Sequence, residues 1–247
     1  MAQTMKRRIA LCFLLPMFAG ACGEQAASPR EASLSEAAWV TPPGLKDVEI
    51  EGTSLTLAGT ASPSGRVVVS DPDGSQFAVA ADGDGTFTLG MPMPTAATLY
   101  RLEVQSGQVR YPAPGRLLVA GTSGGPIAFV VAGSATRRFD AVSPLDAVDS
   151  DGTTSILSGR ANAGTTIRVE TDIARDIPVG PDGRWAAVTV GAPARLRVGG
   201  QDFAPLLTLA GSDGLSLTPG GWRLVWTAPG GGRQVTWLPD TAAQTSR

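Results

Sequence analysis

The sequence predicts an all-β protein built from two similar antiparallel modules, and three observations support this prediction. Apolar residues alternate with polar or small ones over short runs, as in Val67–Val69 and Phe77–Val79. Asp-Gly turn sequences separate these runs, and several sequence blocks recur about 100 residues apart in the same order. Alternation with period two between turn residues is typical of strands with one buried face. No stretch after residue 43 has a convincing helical period.

The alternating runs of the first module follow one another from about Gly44. They are Val48–Ile50, Leu55–Leu57, Val67–Val69, Phe77–Val79 and Phe87–Leu89. The segments Asp71–Gly74 and Asp82–Gly85 separate successive runs. Glycine supplies the positive φ angle that tight turns need, and aspartate accepts hydrogen bonds from its own backbone. The runs are therefore predicted to be strands joined by short turns.

The second half of the chain repeats the first. Leu57–Ala61 (LAGTA) matches Leu157–Ala161 (LSGRA), and Asp84–Phe87 (DGTF) matches Asp182–Trp185 (DGRW). Three further pairs of blocks keep the same order: Val67 and Val69 with Ile167 and Val169, Tyr100–Val104 with Ala194–Val198, and Leu117–Gly121 with Leu206–Gly211. This pattern indicates an internal duplication of roughly 95 residues. We expect modules over residues 44–142 and 143–240, followed by a disordered tail over residues 241–247.

A module of this length with about seven short strands suits a β-sandwich. The L-x-G-x-A block, a loop ending in Gly65 or Gly164, the V-x-V block and the D-G-x-F/W block together resemble bacterial immunoglobulin-like repeats of surface and envelope proteins. The resemblance covers most of residues 45–240, and it implies two tandem immunoglobulin-like sandwiches without the disulfide of antibody domains. It does not indicate a specific function, because one fold serves many functions.

The N-terminal segment has the three-part pattern of an export signal. Lys6–Arg8 are basic, Ile9–Phe18 are apolar, and Ala19–Ala21 are small. The apolar run is too short for a membrane-spanning helix, which needs about 20 apolar residues. We expect residues 1–21 to be a cleaved signal and the polar residues 22–43 to be a flexible tether. Trp39 is expected to dock this tether onto the first module.

Cys22 directly follows the small residues Ala19–Ala21, and this pattern resembles the lipobox of bacterial lipoproteins. The resemblance implies cleavage between Ala21 and Cys22, acylation of Cys22, and anchoring to a membrane of the bacterial cell envelope. It favours the outer over the inner membrane, because Gly23 stands where an Asp favours inner-membrane retention. Ala19 departs from the Leu that the family prefers. Ala19–Ala21 also satisfies the A-x-A cleavage rule, so a soluble protein with a free Cys22 is the alternative.

The composition excludes several classes of function. The chain has no histidine and only two cysteines, Cys12 in the signal and Cys22. This removes the usual general base, the common nucleophile pairs and the commonest transition-metal ligands. We therefore expect no enzyme, no catalytic residues and no cofactor. Removal of residues 1–21 takes away three basic residues and no acidic one, which leaves 17 basic and 22 acidic residues. This balance gives no reason to expect nucleic acid as a partner.

Two groups of residues are candidate sites. Four turn aspartates of the first module would supply oxygen ligands to Ca²⁺ if their two turns converged: Asp71, Asp73, Asp82 and Asp84. Asp149 and Asp151 form a weaker version of this pattern in the second module. Turn formation is the favoured interpretation of these residues, so no metal site is predicted. Trp222, Trp226 and Trp237 would stack on a glycan or anchor a partner. The favoured interpretation places these rings in the core, and Trp185 is expected to point inward like Phe87. Arg137-Arg138 is interpreted as a solvated pair near the linker between the modules.

The expected function is that of a lipid-anchored structural or protein-interaction module with an envelope protein as its partner. The alternative is a module that binds a glycan or small ligand through Trp222 and Trp226. The orientation of these two rings distinguishes the alternatives, because a ring buried between sheets offers no face to a ligand.

Overall fold

The computed structural model describes residues 39–121, 124–140 and 144–240. Within these ranges the chain forms β-strands and no helix, which confirms the predicted all-β class. No helix of the described ranges is therefore long and apolar enough to cross a membrane. The predicted signal, its cleavage site, Cys22 and the tail over residues 241–247 lie outside the described residues.

The first half of the chain forms two antiparallel sheets. Its strands are β1 (Gly44–Glu51), β2 (Ser54–Thr60), β3 (Arg66–Ser70), β4 (Gln76–Ala80), β5 (Thr86–Pro92), β6 (Thr98–Ser106), β7 (Val109–Val119), β8 (Ile127–Val131) and β9 (Arg137–Arg138). One sheet has the order β1-β2-β5, and the other has the order β4-β3-β6-β7-β8-β9. The inward faces of both sheets enclose one apolar core.

The second half also forms two antiparallel sheets. Its strands are β10 (Ala147–Ser150), β11 (Thr154–Arg160), β12 (Thr166–Glu170), β13 (Ala174–Pro178), β14 (Arg184–Val190), β15 (Leu196–Val198), β16 (Gln201–Phe203), β17 (Gly214–Thr218), β18 (Gly221–Thr227) and β19 (Arg233–Pro239). The sheets have the orders β13-β12-β15-β16 and β14-β11-β10-β19-β18-β17. A second apolar core lies between them.

The duplication seen in the sequence is present in the topology. The order β1-β2-β5 recurs as β10-β11-β14, and β4-β3-β6-β7 recurs as β13-β12-β15-β16. Each set of seven strands, β1–β7 and β10–β16, forms an immunoglobulin-like sandwich in which the fourth strand of the set pairs with the third. In the constant-type order the fourth strand lies beside the fifth instead. Strands β8, β9 and β17–β19 are additions, because β8 extends the sheet at β7 whereas β19 extends the other sheet at β10.

The repeated sequence blocks meet in each sandwich. Gly59 pairs with Phe87 across β2 and β5, and Gly159 pairs with Trp185 across β11 and β14. Both aromatic rings are buried, so Trp185 takes the place of Phe87 as predicted. A Cβ at Gly59 would lie 2.7 Å from the ring of Phe87, and a Cβ at Gly159 would lie 2.9 Å from that of Trp185. The absence of a side chain at the glycine of the L-x-G-x-A block therefore leaves the space that the aromatic ring of the D-G-x-F/W block occupies.

A third apolar cluster joins the two halves. The buried residues of this joining cluster are Leu118, Ala128 and Val130 from the first half and Ala147, Leu224, Trp226, Ala228 and Leu238 from the second. Leu118 lies between Leu117 and Val119, which point into the first core. Since successive side chains of a strand point to opposite faces, β7 is covered on both faces. The described residues from Val40 onwards accordingly belong to one compact unit.

Trp39 does not have the packing role expected from the sequence. Its side chain is 97% exposed. Val40 instead packs against the first core, and the backbone N–H of Thr41 donates to Ser62 Oγ at 2.6 Å. The bulky aromatic residue suggested an anchor, but the smaller neighbour and a backbone hydrogen bond fix the chain at this point.

Candidate functional site

Thr136 and Asp149 make the central polar contact between the halves. Thr136 lies between β8 and β9, and Asp149 lies in β10. The Thr136 backbone N–H donates to Asp149 Oδ2 at 2.9 Å, and its hydroxyl donates to Oδ1 at 2.7 Å. The Thr136 carbonyl accepts a hydrogen bond from Ser158 Oγ at 3.1 Å. The second half thus binds the backbone N–H, the carbonyl and the hydroxyl of Thr136.

Asp149 is buried in this contact. Its Oδ1 accepts a further hydrogen bond from the Thr236 hydroxyl at 2.7 Å. Burial disfavours the charged carboxylate and raises the pKa of Asp149 to about 6, although the hydrogen bonds from Thr136 and Thr236 act in the opposite direction. The sequence suggested a turn aspartate and a possible metal ligand at this position. The structure corrects that interpretation, because the carboxyl group bridges two strands and a loop.

Arg138 is also buried, contrary to its interpretation as part of a solvated pair. Its side chain is 2% exposed and forms a two-point contact with Asp140, with N–O distances of 3.0 and 2.7 Å. Its Nη1 donates to the carbonyl of Pro239 in the second half. The carbonyl of Arg138 accepts a hydrogen bond of 2.6 Å from Arg160 Nη2. Arg138 therefore helps to fix β9 against the second half.

Asp146 forms a buried ionic contact next to these residues. Its side chain is 1% exposed, and its Oδ2 lies 2.9 Å from Arg160 Nε and 3.6 Å from Arg184 Nη1. Burial raises its pKa, while Arg160, Arg184 and the charge of Arg138 oppose the shift. Asp146 Oδ1 accepts no hydrogen bond within the described part of the chain. The carboxylate of Asp146 therefore contacts two guanidinium groups, those of Arg160 and Arg184.

A cleft of about 390 Å³ lies between the halves beside these contacts. Ala135, Thr136 and Arg137 line it from the first half, and Ser158, Gly159, Asp182 and Arg184–Ala186 line it from the second. Burial lowers the pKa of Arg184, and the nearby charges of Arg137 and Arg160 lower it further. The cleft therefore concentrates positive charge and N–H donors in a partly desolvated space.

Arg137 is held in the cleft by groups that carry no negative charge. Its Nη1 donates to the Leu45 carbonyl at 3.1 Å, and its Nη2 donates to the Lys46 carbonyl. The guanidinium carbon lies 5.1 Å from the centre of the Phe139 ring, within the range of a cation–π contact. The buried Nε of Arg137 has no hydrogen-bond partner within the described ranges. These contacts orient the side chain without neutralising its charge.

Of the three tryptophans proposed as ligand or partner residues, Trp226 and Trp237 lie inside the protein and Trp222 is half-buried. Trp226 is 2% exposed and belongs to the joining cluster, against which the half-buried Trp222 also packs. Trp237 is 1% exposed and contacts Phe203 edge-to-face in the second core, with ring centres 6.4 Å apart. The burial of Trp226 and Trp237 corrects the ligand-binding interpretation, because neither ring offers a face on which a sugar can stack.

The turn aspartates cap backbone groups in two separate turns. Asp71 Oδ1 accepts the Ser75 N–H at 2.8 Å. Asp82 Oδ1 accepts the N–H groups of Asp84 and Thr86 at 3.0 and 2.7 Å. Asp73 is exposed in the first of these turns. Within the described ranges, no three or more Asp, Glu, Cys or His residues lie together as a potential metal site.

Sequence reasoning missed the cleft and Arg184, and it placed Arg137 in a solvated pair, because the residues of the cleft come from segments far apart in the chain. Comparison with known proteins does not assign the chain to a family. No family model matches the chain. A search of the curated proteins also finds no match.

Proposed function

We propose that this protein is a lipid-anchored lipoprotein of the bacterial cell envelope that acts as a structural or protein-interaction unit without catalysis. The sequence Ala19–Cys22 supports the anchor, because it has the pattern at which lipoprotein signals are cleaved and acylated. Several acyl chains on one residue would hold the protein stably, since each buried methylene contributes about 0.8 kcal/mol. The outer membrane is the favoured location, because Gly23 follows the cysteine.

The joining cluster is the observation that carries the structural part of the proposal. Two sandwiches linked only through their chain would move independently, because small polar interfaces permit domain motion. Here Leu118, Leu224 and Trp226 lie in one buried cluster, and Asp149 fixes Thr136 beside it. The two halves therefore present their outer surfaces in a constant arrangement. Such an arrangement suits a protein that holds or spaces an envelope partner.

The absence of catalysis is supported by the chemistry of the side chains. The chain contains no histidine. The buried carboxylates that the structure describes at the junction are engaged in holding it, Asp149 by Thr136 and Asp146 by Arg160. The burial of Trp226 between the halves favours this proposal over the glycan-binding alternative.

The anchor is tested by intact-mass analysis and membrane fractionation of the full chain and its Cys22→Ala variant. We expect the wild-type protein to fractionate with membranes and to carry the mass of a diacylated or triacylated cysteine. Cys22→Ala should lose the lipid mass and accumulate uncleaved or mislocalised. Cys12→Ala is the matched control, because the same substitution within the predicted signal should leave the anchor intact. A soluble mature protein with a free Cys22 thiol would refute the anchor.

The interaction role is tested separately by affinity capture. The tagged full chain is expressed at its natural abundance, cross-linked in intact cells and recovered from detergent-solubilised membranes. We expect a defined envelope protein in a constant ratio to the bait, identified by mass spectrometry. Cys22→Ala serves as a mislocalised bait that should recover less of this partner. Recovery of no defined partner with the anchored bait would contradict the interaction role.

A further inference from the structure

We propose that the cleft between the halves is a binding site for a small ligand with a carboxylate or phosphate group, held by Arg137 and Arg184. This inference goes beyond the proposed function. It depends on Arg137 and Arg184 and not on Cys22, and it places ligand recognition in a cleft instead of on the tryptophans.

The balance of charge at the cleft is the first argument. Arg138 has its own carboxylate in Asp140, and Asp146 lies against both Arg160 and Arg184. Asp182 also lines the cleft, and its Oδ1 accepts the backbone N–H of Arg184 at 3.1 Å.

Among the residues that line the cleft, the two guanidinium groups of Arg137 and Arg184 thus stand against one carboxylate, that of Asp182. Arg137 contacts only carbonyls and a ring. The side chains that line the cleft therefore carry more positive than negative charge, which an anionic ligand would compensate.

The unused hydrogen-bond donors are the second argument. Within the described residues, the guanidinium of Arg184 donates no hydrogen bond to the protein, and its closest charged contact is the 3.6 Å pair with Asp146. The Arg184 side chain is 29% exposed, so it is accessible from the cleft. Arg137 Nε is a buried donor without a partner. Guanidinium groups bind carboxylates and phosphates well, because their planar N–H donors match two oxygen atoms at once.

The dimensions of the cleft are the third argument. A volume of about 390 Å³ lies in the range of small-molecule sites, which commonly form between domains. Ala135, Ala186 and part of Trp185 supply an apolar wall beside the arginines. A ligand that combines an anionic group with a small apolar part would fit this lining. Since β9 and β11 carry residues of the cleft on opposite halves, the ligand would contact both sandwiches.

Calorimetric titration of the full-length protein in detergent tests the inference. The probes are acetate and inorganic phosphate, with chloride at the same ionic strength as the reference anion. We expect saturable binding of at least one probe at millimolar concentrations and no saturable binding of chloride. The probe that binds more tightly identifies the anionic group. Circular dichroism spectra check that every variant is folded.

Arg184→Gln should weaken binding about tenfold or more, because a hydrogen bond to a charged group is lost. Arg137→Gln should have a similar effect. Arg168→Gln is the matched control, since Arg168 is 52% exposed and forms ion pairs elsewhere, and it should bind like the wild type.

Binding that Arg184→Gln and Arg137→Gln leave unchanged would overturn the inference, as would the absence of saturable binding of both acetate and phosphate. Neither result would affect the anchor, which is measured by mass and fractionation.

Discussion

Asp149 receives both the backbone N–H and the hydroxyl of Thr136, at 2.9 and 2.7 Å, although 12 residues separate the two along the chain. The contact joins the loop before β9 to the middle of β10. Both residues are buried, with Thr136 2% and Asp149 4% exposed. A buried carboxyl group that holds two halves together makes the junction responsive to protonation.

The first prediction concerns the pH dependence of stability. Burial raises the pKa of Asp149 to about 6 in the folded protein, above the ordinary aspartate value of 3.8. Between these values the folded state binds the proton more tightly than the unfolded state, so stability falls as pH rises through this window. The difference amounts to about 3 kcal/mol at 1.36 kcal/mol for each pKa unit.

Denaturant unfolding of the wild type and Asp149→Asn at pH 4, 5, 6 and 7 measures this dependence. Asn carries no charge, so the variant should gain about 2 kcal/mol relative to the wild type between pH 4 and 7, because part of the difference of about 3 kcal/mol is already lost at pH 4. Asp151→Asn is the control. Hydrogen bonds from the backbone of Thr154 and Thr153 lower the pKa of the exposed Asp151, so its titration lies below this range. A constant difference between wild type and Asp149→Asn would contradict the prediction.

The second prediction concerns the glycines of the repeated block. A Cβ at Gly159 would lie 2.0 Å from the Pro144 carbonyl oxygen, which also accepts the Trp185 Nε1–H at 3.0 Å. Gly159→Ala should therefore displace backbone atoms and lower the free energy of unfolding by about 1–3 kcal/mol or more. Gly59→Ala should act similarly, because its Cβ would lie 2.2 Å from the Gly44 carbonyl oxygen.

Gly90→Ala is the matched control for these glycines. Gly90 lies in β5, and a Cβ there meets no atom within 4 Å. Its effect on the midpoint of urea unfolding should stay within about 0.5 kcal/mol. If all three substitutions had equal effects, close approach would not be the reason for the repeated glycine.

The third prediction compares a buried ion pair with an exposed one. Asp140→Asn leaves the buried Arg138 without its carboxylate, and loss of one partner of a buried pair costs about 3–5 kcal/mol. Glu103→Gln breaks the pair with Arg110, whose side chain is 47% exposed, and should cost less than about 1 kcal/mol. Guanidinium chloride unfolding of both variants measures the contrast. Similar costs for the two variants would show that Arg138 does not depend on Asp140.

The sandwiches were predictable from sequence because their signals are local. Alternation in β5, where Phe87, Leu89 and Met91 are buried and their neighbours exposed, follows directly from the two-residue period of a strand. The turns around Asp71 and Asp82 follow from the chemistry of Asp and Gly. The recurrence of L-x-G-x-A with D-G-x-F/W predicted that both halves share these features.

The junction was not predictable in the same way, because it depends on contacts between distant segments. Leu118 belongs to an unbroken apolar run in β7, and such a run indicates burial on both faces without naming what covers the second face. Asp149 and Arg138 have polar sequence neighbourhoods that are typical of surface loops. Their burial arises only when the two halves pack, so the candidate cleft could not be predicted from either half alone.

The last prediction concerns Trp226, the largest side chain of the joining cluster. Trp226→Ala removes a ring that is 2% exposed and packs with residues of both halves, which should lower the free energy of unfolding by about 3–5 kcal/mol. Because the two sandwich cores remain intact, the halves should then unfold in two calorimetric transitions instead of one. Trp226→Phe should cost less, since it keeps an aromatic ring and removes the buried Nε1 donor that has no partner in the described ranges. Trp39→Ala, at a position 97% exposed, should leave the single transition unchanged. A single transition in Trp226→Ala at the wild-type temperature would mean that the polar contacts of Thr136 and Arg138 suffice to couple the halves.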